Sequence, residues 1–272
     1  MSKLNQSDYY NDVAKYYDQD ANLGFEARAD VNTSLDRIRR DFRNITIQFP
    51  FQKTLEIGCG PGFDVHWFAS QYPEKEFVAV DISSEMVKLS QKRLDKDKIQ
   101  NAKVLQADER QLLEKFGKES FDLIYVYFGA LNTVEDLDYS AEQIRQLLTP
   151  NGTAVLTFVN KWYLRELLVQ LLKLNFKTAF ARLGKVWGGY SVSRFLPSHC
   201  YSPKRIKKAF RKFKLMKTKG YSIAYPPWYN DHKIKNHPEK ADKLWSWDQK
   251  LQKTGLWSKG EYTLFVFRKQ ED

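Results

Sequence analysis

The sequence predicts an α/β protein with a mostly parallel sheet and helices on both faces. Three observations carry this. Short apolar runs alternate with helix-period segments between residues 54 and 159, glycine and proline punctuate the joins, and 272 residues are ample for a sizeable core. With 42% hydrophobic and 28% charged residues, the composition excludes a mostly disordered chain. No run approaches the roughly 18 apolar residues of a membrane-spanning helix. Residues 1–20 are polar and tyrosine-rich, with no apolar signal core, so the expected location is the cytoplasm. Only Cys59 and Cys200 are present, which excludes a disulfide framework and a four-cysteine metal site, and no metal is expected.

Residues 7–48 carry helical spacing, first through Tyr9, Val13, Tyr16 and Tyr17, then through Leu35, Ile38, Phe42 and Ile45. Residues 54–57 form an apolar run stopped by Gly58 and read as a buried strand, followed by a helix over 63–72 closed by Pro73. A second strand covers 77–80. Ser83 or Ser84 caps a helix to about residue 94, with Glu85 in its first turn. Strands three and four cover 104–107 and 121–128. A helix over 140–148 stops at Pro150 and the Asn151-Gly152 turn, and 153–159 is a fifth strand. Such βαβ units cross over right-handed and bind ligands beyond the carboxyl ends of their strands.

After residue 160 the rhythm changes. A leucine-rich helical stretch covers 162–183, loosened by Gly184, Gly188 and Gly189. Ser202-Pro203 is an N-cap with proline at the first helical position, opening a basic helix to about 213. Strands are expected over 215–223 and 262–267, with a helix over 238–253 between them. Charge is divided along the same line: residues 1–160 hold 19 basic and 25 acidic residues (net −6), and 161–272 hold 25 and 8 (net +17). Any contact with nucleic acid or an anionic surface therefore belongs to the second part; a lysine-rich solvated surface is the plainer reading.

The strongest local signal is Leu55-Glu56-Ile57-Gly58-Cys59-Gly60-Pro61-Gly62-Phe63-Asp64, between a strand and a helix. Glycines there let the backbone turn sharply and approach a ligand. A dinucleotide loop would need its third glycine at position 63, where Phe63 stands. Glycines at 58, 60 and 62, with an acid two residues before the first, resemble the first motif of class I S-adenosylmethionine-dependent methyltransferases. The resemblance continues in order over about residues 50–160: Asp81 ends the second strand, Asp108 ends the third, Phe121-Asp122-Leu123-Ile124 matches the fourth, and Leu148-Thr149-Pro150-Asn151-Gly152 matches the turn into the fifth.

That resemblance implies a Rossmann-like, seven-stranded, mostly parallel sheet and S-adenosyl-L-methionine as donor, leaving S-adenosyl-L-homocysteine. It implies four parts: an N-terminal helical lid (1–50), the donor-binding core (51–160), a helical, aromatic insertion over the acceptor site (161–200), and the completion of the sheet with a further insertion (201–272). The donor site then comprises Glu56, Gly58, Cys59, Gly60, Gly62, Asp81, Ile82, Met86, Asp108, Glu109 and Tyr127. Asp81 would take the ribose diol, Asp108 or its neighbour Glu109 the adenine amino group, and Glu56 the methionine ammonium. Ile82 and Met86 would pack on the adenine, and Cys59 is a small filler. Tyr16 or Tyr17 contacts the donor or packs the lid, and Arg28 meets the donor carboxylate or stays on the surface.

Tyr127-Phe128-Gly129-Ala130-Leu131-Asn132 lacks the Asn/Asp-Pro-Pro-aromatic pattern of some nucleic-acid amino-methyltransferases and looks like a small-molecule enzyme; Tyr225-Pro226-Pro227-Trp228 lies too late in the chain and reads as a turn or pocket wall. The expected acceptor is small and apolar or aromatic, such as a secondary metabolite or a quinone-like or lipid-like compound. Asn132 orients a ligand or caps a turn, and His199 is the first candidate base, ahead of His66, His232 and His237. Two rivals remain. An RNA methyltransferase would grip phosphate through the basic run 204–212, although Ile206, Ala209, Phe210 and Phe213 mark that helix as packed on one side. A membrane-surface enzyme would approach anionic lipid through 162–183.

Overall fold

The computed structural model describes residues 6–191 and 193–270, so residues 1–5 of the expected lid and 271–272 of the last part lie outside the described residues. Seven strands, β1 (Lys53–Ile57), β2 (Glu76–Asp81), β3 (Ala102–Gln106), β4 (Phe121–Val126), β5 (Leu148–Val159), β6 (Phe213–Tyr221) and β7 (Tyr262–Lys269), form one sheet in the order β3-β2-β1-β4-β5-β7-β6. The ladders from β3 through β5 are parallel, and β7 runs antiparallel to both β5 and β6.

Three helices precede the sheet: α1 (Gln6–Asn22), α2 (Phe25–Asp30) and α3 (Thr33–Thr46). Between strands lie α4 (Phe63–Gln71), α5 (Ser84–Lys96), α6 (Leu112–Phe116) and α7 (Leu137–Leu147). After β5 come α8 (Leu164–Leu172), α9 (Phe176–Ala181), α10 (Pro203–Ala209) and α11 (Pro238–Leu251). Side-chain caps set the starts of α3, α5 and α10. Asn32 accepts from Leu35 N–H at 2.9 Å, Ser83 from Met86 N–H at 3.1 Å, and Ser202 from Arg205 N–H at 3.2 Å.

Strand alternation divides the core into two layers. Leu55, Ile57, Val78, Val80 and Ile124 pack with Leu112 of α6, Ile144 of α7, Ile206 of α10 and Phe210 just after it. Phe77, Ala79, Leu123, Tyr125 and Val155 pack on the other face with Phe42 of α3, Phe68 of α4 and Leu94 of α5. The sequence order reverses at β1 and β4, so ligands are expected at their carboxyl ends.

Several boundaries differ from the sequence expectation. β5 starts at Leu148, absorbing the Pro150-Asn151-Gly152 turn through a register shift between Phe121 and Leu123 of its partner strand. β4 ends at Val126 because Phe128 takes a left-handed backbone at φ 52°. The 162–183 stretch is two helices, broken where Leu174 turns left-handed at φ 55° and Asn175 caps α9 through Thr178 N–H at 3.3 Å. No described helix is long and apolar enough to cross a membrane.

Candidate active site

A cavity of about 600 Å³ opens at the carboxyl ends of β1, β2 and β4. Its floor is Gly58 and Gly60 of the glycine loop, but not Gly62, with Asp81, Ile82, Met86, Ala107 and Asp108, and its far end is walled by Phe128, Tyr190, Trp228, Tyr229 and Tyr262. α1, α2 and α3 cover it with Tyr16, Tyr17, Arg28 and Arg39 among the lining side chains.

The floor is held by backbone. Gly58 and Cys59 N–H both donate to the Val80 carbonyl, at 2.8 and 3.1 Å, which folds the loop back against β2. Gly58 and Gly60 are left-handed, at φ 76° and 53°. A Cβ on Gly58 would stand 2.3 Å from the Ala130 Cβ, whereas one on Gly60 would meet nothing within 4 Å. Gly62, also left-handed at φ 77°, starts α4 against Ser90. Asp81 accepts from Gly60 N–H at 2.8 Å through one oxygen and from Ser83 N–H at 2.9 Å through the other. Burial pushes its carboxyl up to about 6 despite those two donors.

α1 is tied to this floor. Asp18 accepts from Ser83 Oγ at 2.6 Å and from Glu85 N–H at 3.1 Å, and Tyr9 donates to the Pro197 carbonyl at 3.0 Å. Tyr10 donates to Glu109, whose carboxyl burial pushes up to about 6. The Arg110 guanidinium stacks 3.9 Å over the Tyr10 ring and forms a forked pair with Asp108, using both its oxygens. Asp108 thus lines the cavity with its carboxylate already engaged. Tyr17 lines the cavity with its hydroxyl pushed up by burial. Tyr16 lies under the Arg194 guanidinium at 4.4 Å, and Arg194 is paired with Asp20.

One expected role meets other geometry. Glu56 is buried beneath the loop, where Tyr125 OH donates to it at 3.1 Å, and it does not line the cavity; burial holds its carboxyl well above the usual range. Cys59 is likewise buried, off the lining. Arg28 lines the rim but is 55% exposed and pairs with Asp20 at 3.0 Å. Tyr127 lines the cavity with its hydroxyl paired to Thr46 Oγ1.

Asn132 and His199 stand outside the cavity. The Asn132 amide clamps the end of β5, accepting from Val159 N–H at 2.9 Å and donating to the Val159 and His199 carbonyls. The His199 N–H donates to the Asn132 carbonyl at 2.7 Å, and its Nδ1 faces the Lys185 carbonyl at 2.7 Å. The ligand-facing role expected of each is corrected: Asn132 takes its other expected role, fastening backbone at a turn, and the His199 ring faces a carbonyl instead of a ligand. The other three histidines, His66, His232 and His237, do not line the cavity either. Of the expected aromatic insertion, as far as it is described, only Tyr190 reaches the lining; Phe176 and Phe180 of α9 are exposed, as are Trp162 and Phe195 outside the two helices. Among the described residues no group of three or more His, Cys, Asp or Glu is placed to hold a metal ion.

Arg39 is the residue that sequence reasoning missed. It lines the cavity from α3, 4.5 Å from the Phe63 ring and 5.1 Å from the Phe128 ring. Its Nε lies 3.2 Å from Asp64 Oδ2 but out of line for a hydrogen bond, so this buried group keeps an unused donor beside the glycine loop. Arg43, one turn on, takes Asp64 Oδ1 at 2.7 Å. The signal was two arginines four apart next to the apolar stripe of Ile38 and Phe42.

A largely apolar cavity with the Asp81 carboxylate fixed by two backbone amides, open glycine backbone and a mostly buried arginine fits a nucleoside carrying an amino acid: a diol for Asp81, an apolar shelf at Ile82 and Met86 for a base, and a cation for a carboxylate. The comparisons agree with that chemistry. A methyltransferase-domain family model matches residues 51–265. Among curated proteins, the uncharacterized protein RP028 of Rickettsia prowazekii is 34% identical over 108 residues, 39% of this chain and 42% of that protein. The tRNA (guanine-N(7)-)-methyltransferase of Clostridium acetobutylicum is 31% identical over 74 residues, 27% of this chain and 35% of that enzyme. The chain thus spans less than half the length of these two relatives. A solved S-adenosylmethionine-dependent methyltransferase from Thermotoga maritima, described as a possible histamine N-methyltransferase, shares the fold at TM-score 0.60 and 14% identity, covering 95% of this chain and all of that one.

Proposed function

The chain belongs to the class I S-adenosylmethionine-dependent methyltransferases, and on that premise we propose that it methylates a small, apolar or aromatic acceptor held against the far wall of its cavity. One observation carries this: a single cavity joins the Asp81 floor to the aromatic wall of Phe128, Tyr190, Trp228, Tyr229 and Tyr262. About 600 Å³ suits a donor and a compact acceptor side by side, whereas a polynucleotide needs an open basic groove.

The basic run supports this choice. None of residues 204–212 lines the cavity. Ile206, Ala209 and Phe210 of that run are buried against the sheet, while Arg205 and Lys212 pair with Asp138 and Glu142 at 2.8 and 3.1 Å.

The donor, when bound, supplies a methyl already activated on a sulfonium. The protein's part is alignment and exclusion of water. Asp81 would hold the ribose diol, Ile82 and Met86 the adenine, and Arg39 the methionine carboxylate. The cavity's carboxylates are committed to backbone amides, arginines or Tyr10, and none of the four histidines lines it, so proton abstraction has no dedicated group there. Incubation with methyl-labelled donor and a fractionated cell extract tests the reading. Label in the small-molecule fraction supports it, and label only in RNA refutes it.

A further inference from the structure

The α8–α9 hairpin carries an apolar face that nothing in the fold covers. No residue of α8 is buried. Leu164, Leu168 and Leu172 stand in an i, i+4, i+8 stripe, and exposure peaks at the turn, with Leu172 at 85%, Leu174 at 76% and Phe176 at 57%. A contiguous patch of this kind marks an interaction surface.

The charges around it select the partner. Residues 161–185 contain six cations and one acid. The acid, Glu166, is turned inward onto Arg182 and Tyr229, and Arg165 is spent on the Ala224 and Tyr225 carbonyls at 3.0 and 3.1 Å. What faces outward with the leucines is Lys173, Lys177 and Lys185, with Lys259 lying 5.6 Å over the ring of the exposed Trp162. We propose that this hairpin docks the enzyme on an anionic lipid bilayer, with Leu172, Leu174 and Phe176 at the headgroup boundary and the lysines on lipid phosphate and carboxylate. A second copy of the chain is the poorer occupant, since a two-fold contact would set lysines against lysines.

The position has a consequence for the cavity. Glu166 of α8 accepts from Tyr229 OH at 3.2 Å, and Tyr229 walls the acceptor end, so a docked hairpin sets that end beside the bilayer. Delivery of a lipid-partitioned acceptor through that route rests on the proposed methyl transfer; the docking itself does not.

The test is cosedimentation of the full chain with vesicles of phosphatidylcholine alone and of phosphatidylcholine mixed with phosphatidylserine. The expected result is binding to the mixed vesicles only, falling with salt, and lowered at least ~tenfold in a Leu172→Glu, Leu174→Glu double variant. Donor titration of that variant should match the unsubstituted chain, which shows that it has folded. Equal binding of the two proteins, equal binding to both vesicles, or no binding overturns the proposal. So does a dimer seen by light scattering that the double variant disperses, which would assign the face to a second copy. Vesicle binding without any methyl transfer would leave docking standing and remove the proposed function.

Discussion

The Gly60 backbone N–H donates to Asp81 Oδ2 at 2.8 Å, so the glycine loop and the carboxylate at the end of β2 are fixed as one unit. With Ser83 N–H on the other oxygen at 2.9 Å, the carboxylate has one orientation before any ligand arrives. Preorganisation of this kind lowers the ordering cost of binding.

Donor affinity should depend on pH through this group. Burial raises the Asp81 carboxyl to about 6, so the ionised acceptor forms only as pH rises through that value. Affinity should therefore be up to ~tenfold weaker at pH 5 than at pH 7. Calorimetric titration across that range should show the dependence, and Asp81→Asn should flatten it. Equal affinity at both ends would contradict the assignment.

Folding stability should move the opposite way. Asp81, Glu109 and Asp248 are raised to about 6 and Glu261 to about 7, each mainly by burial. A raised carboxyl stabilises the fold through its protonated form. That contribution is full below the unfolded value near 4 and is lost as pH rises through 6 to 7. Glu142, lowered to about 2 first by its bond to Arg145, has its contribution complete by pH 5. The thermal midpoint should fall between pH 5 and pH 7.5.

Two glycines should separate folding from binding. Gly58→Ala sets a Cβ 2.3 Å from the Ala130 Cβ on a left-handed backbone and should cost about 3 kcal/mol of stability. Gly60→Ala meets open space and should cost only about 1 kcal/mol, yet its methyl should weaken donor binding. Denaturant unfolding and calorimetry, run on both, read the two effects apart.

Arg39→Met should weaken donor binding about tenfold, the value of one charge-assisted contact. Arg28→Ala, already paired with Asp20 and half in solvent, should change it less than about twofold.

Asn132→Ala should cost about 2–4 kcal/mol in denaturant unfolding, because it strands the Val159 N–H and removes a donor from the Val159 and His199 carbonyls. His199→Ala should leave the turnover rate unchanged, since its ring faces the Lys185 carbonyl. A rate lost with His199 would restore it as a base.

What could be read from the sequence was local. The glycine spacing and Asp81 lie within one βαβ unit, where strand, turn and helix fix one another, and the seven strands follow from apolar runs and caps. Arg39 escaped because its role depends on α3 crossing the glycine loop, a long-range contact that spacing does not encode. Sequence position alone does not say whether a polar side chain faces a ligand or a neighbouring carbonyl, so Asn132 kept two readings, of which the backbone-fastening one holds, and the His199 ring proved to face a carbonyl. The leucine-rich stretch 162–183 is helical as read, but its spacing does not say which side faces the fold: Leu164, Leu168 and Leu172 point outward.

Calorimetric titration of S-adenosyl-L-methionine into the unsubstituted chain and into Asp81→Ala tests the donor site most directly. One saturable site is predicted in the first, and an affinity at least ~30-fold weaker in the second, with an unchanged circular dichroism spectrum, as two lost charge-assisted bonds would give. No binding to the unsubstituted chain, or equal affinity in both, would contradict it.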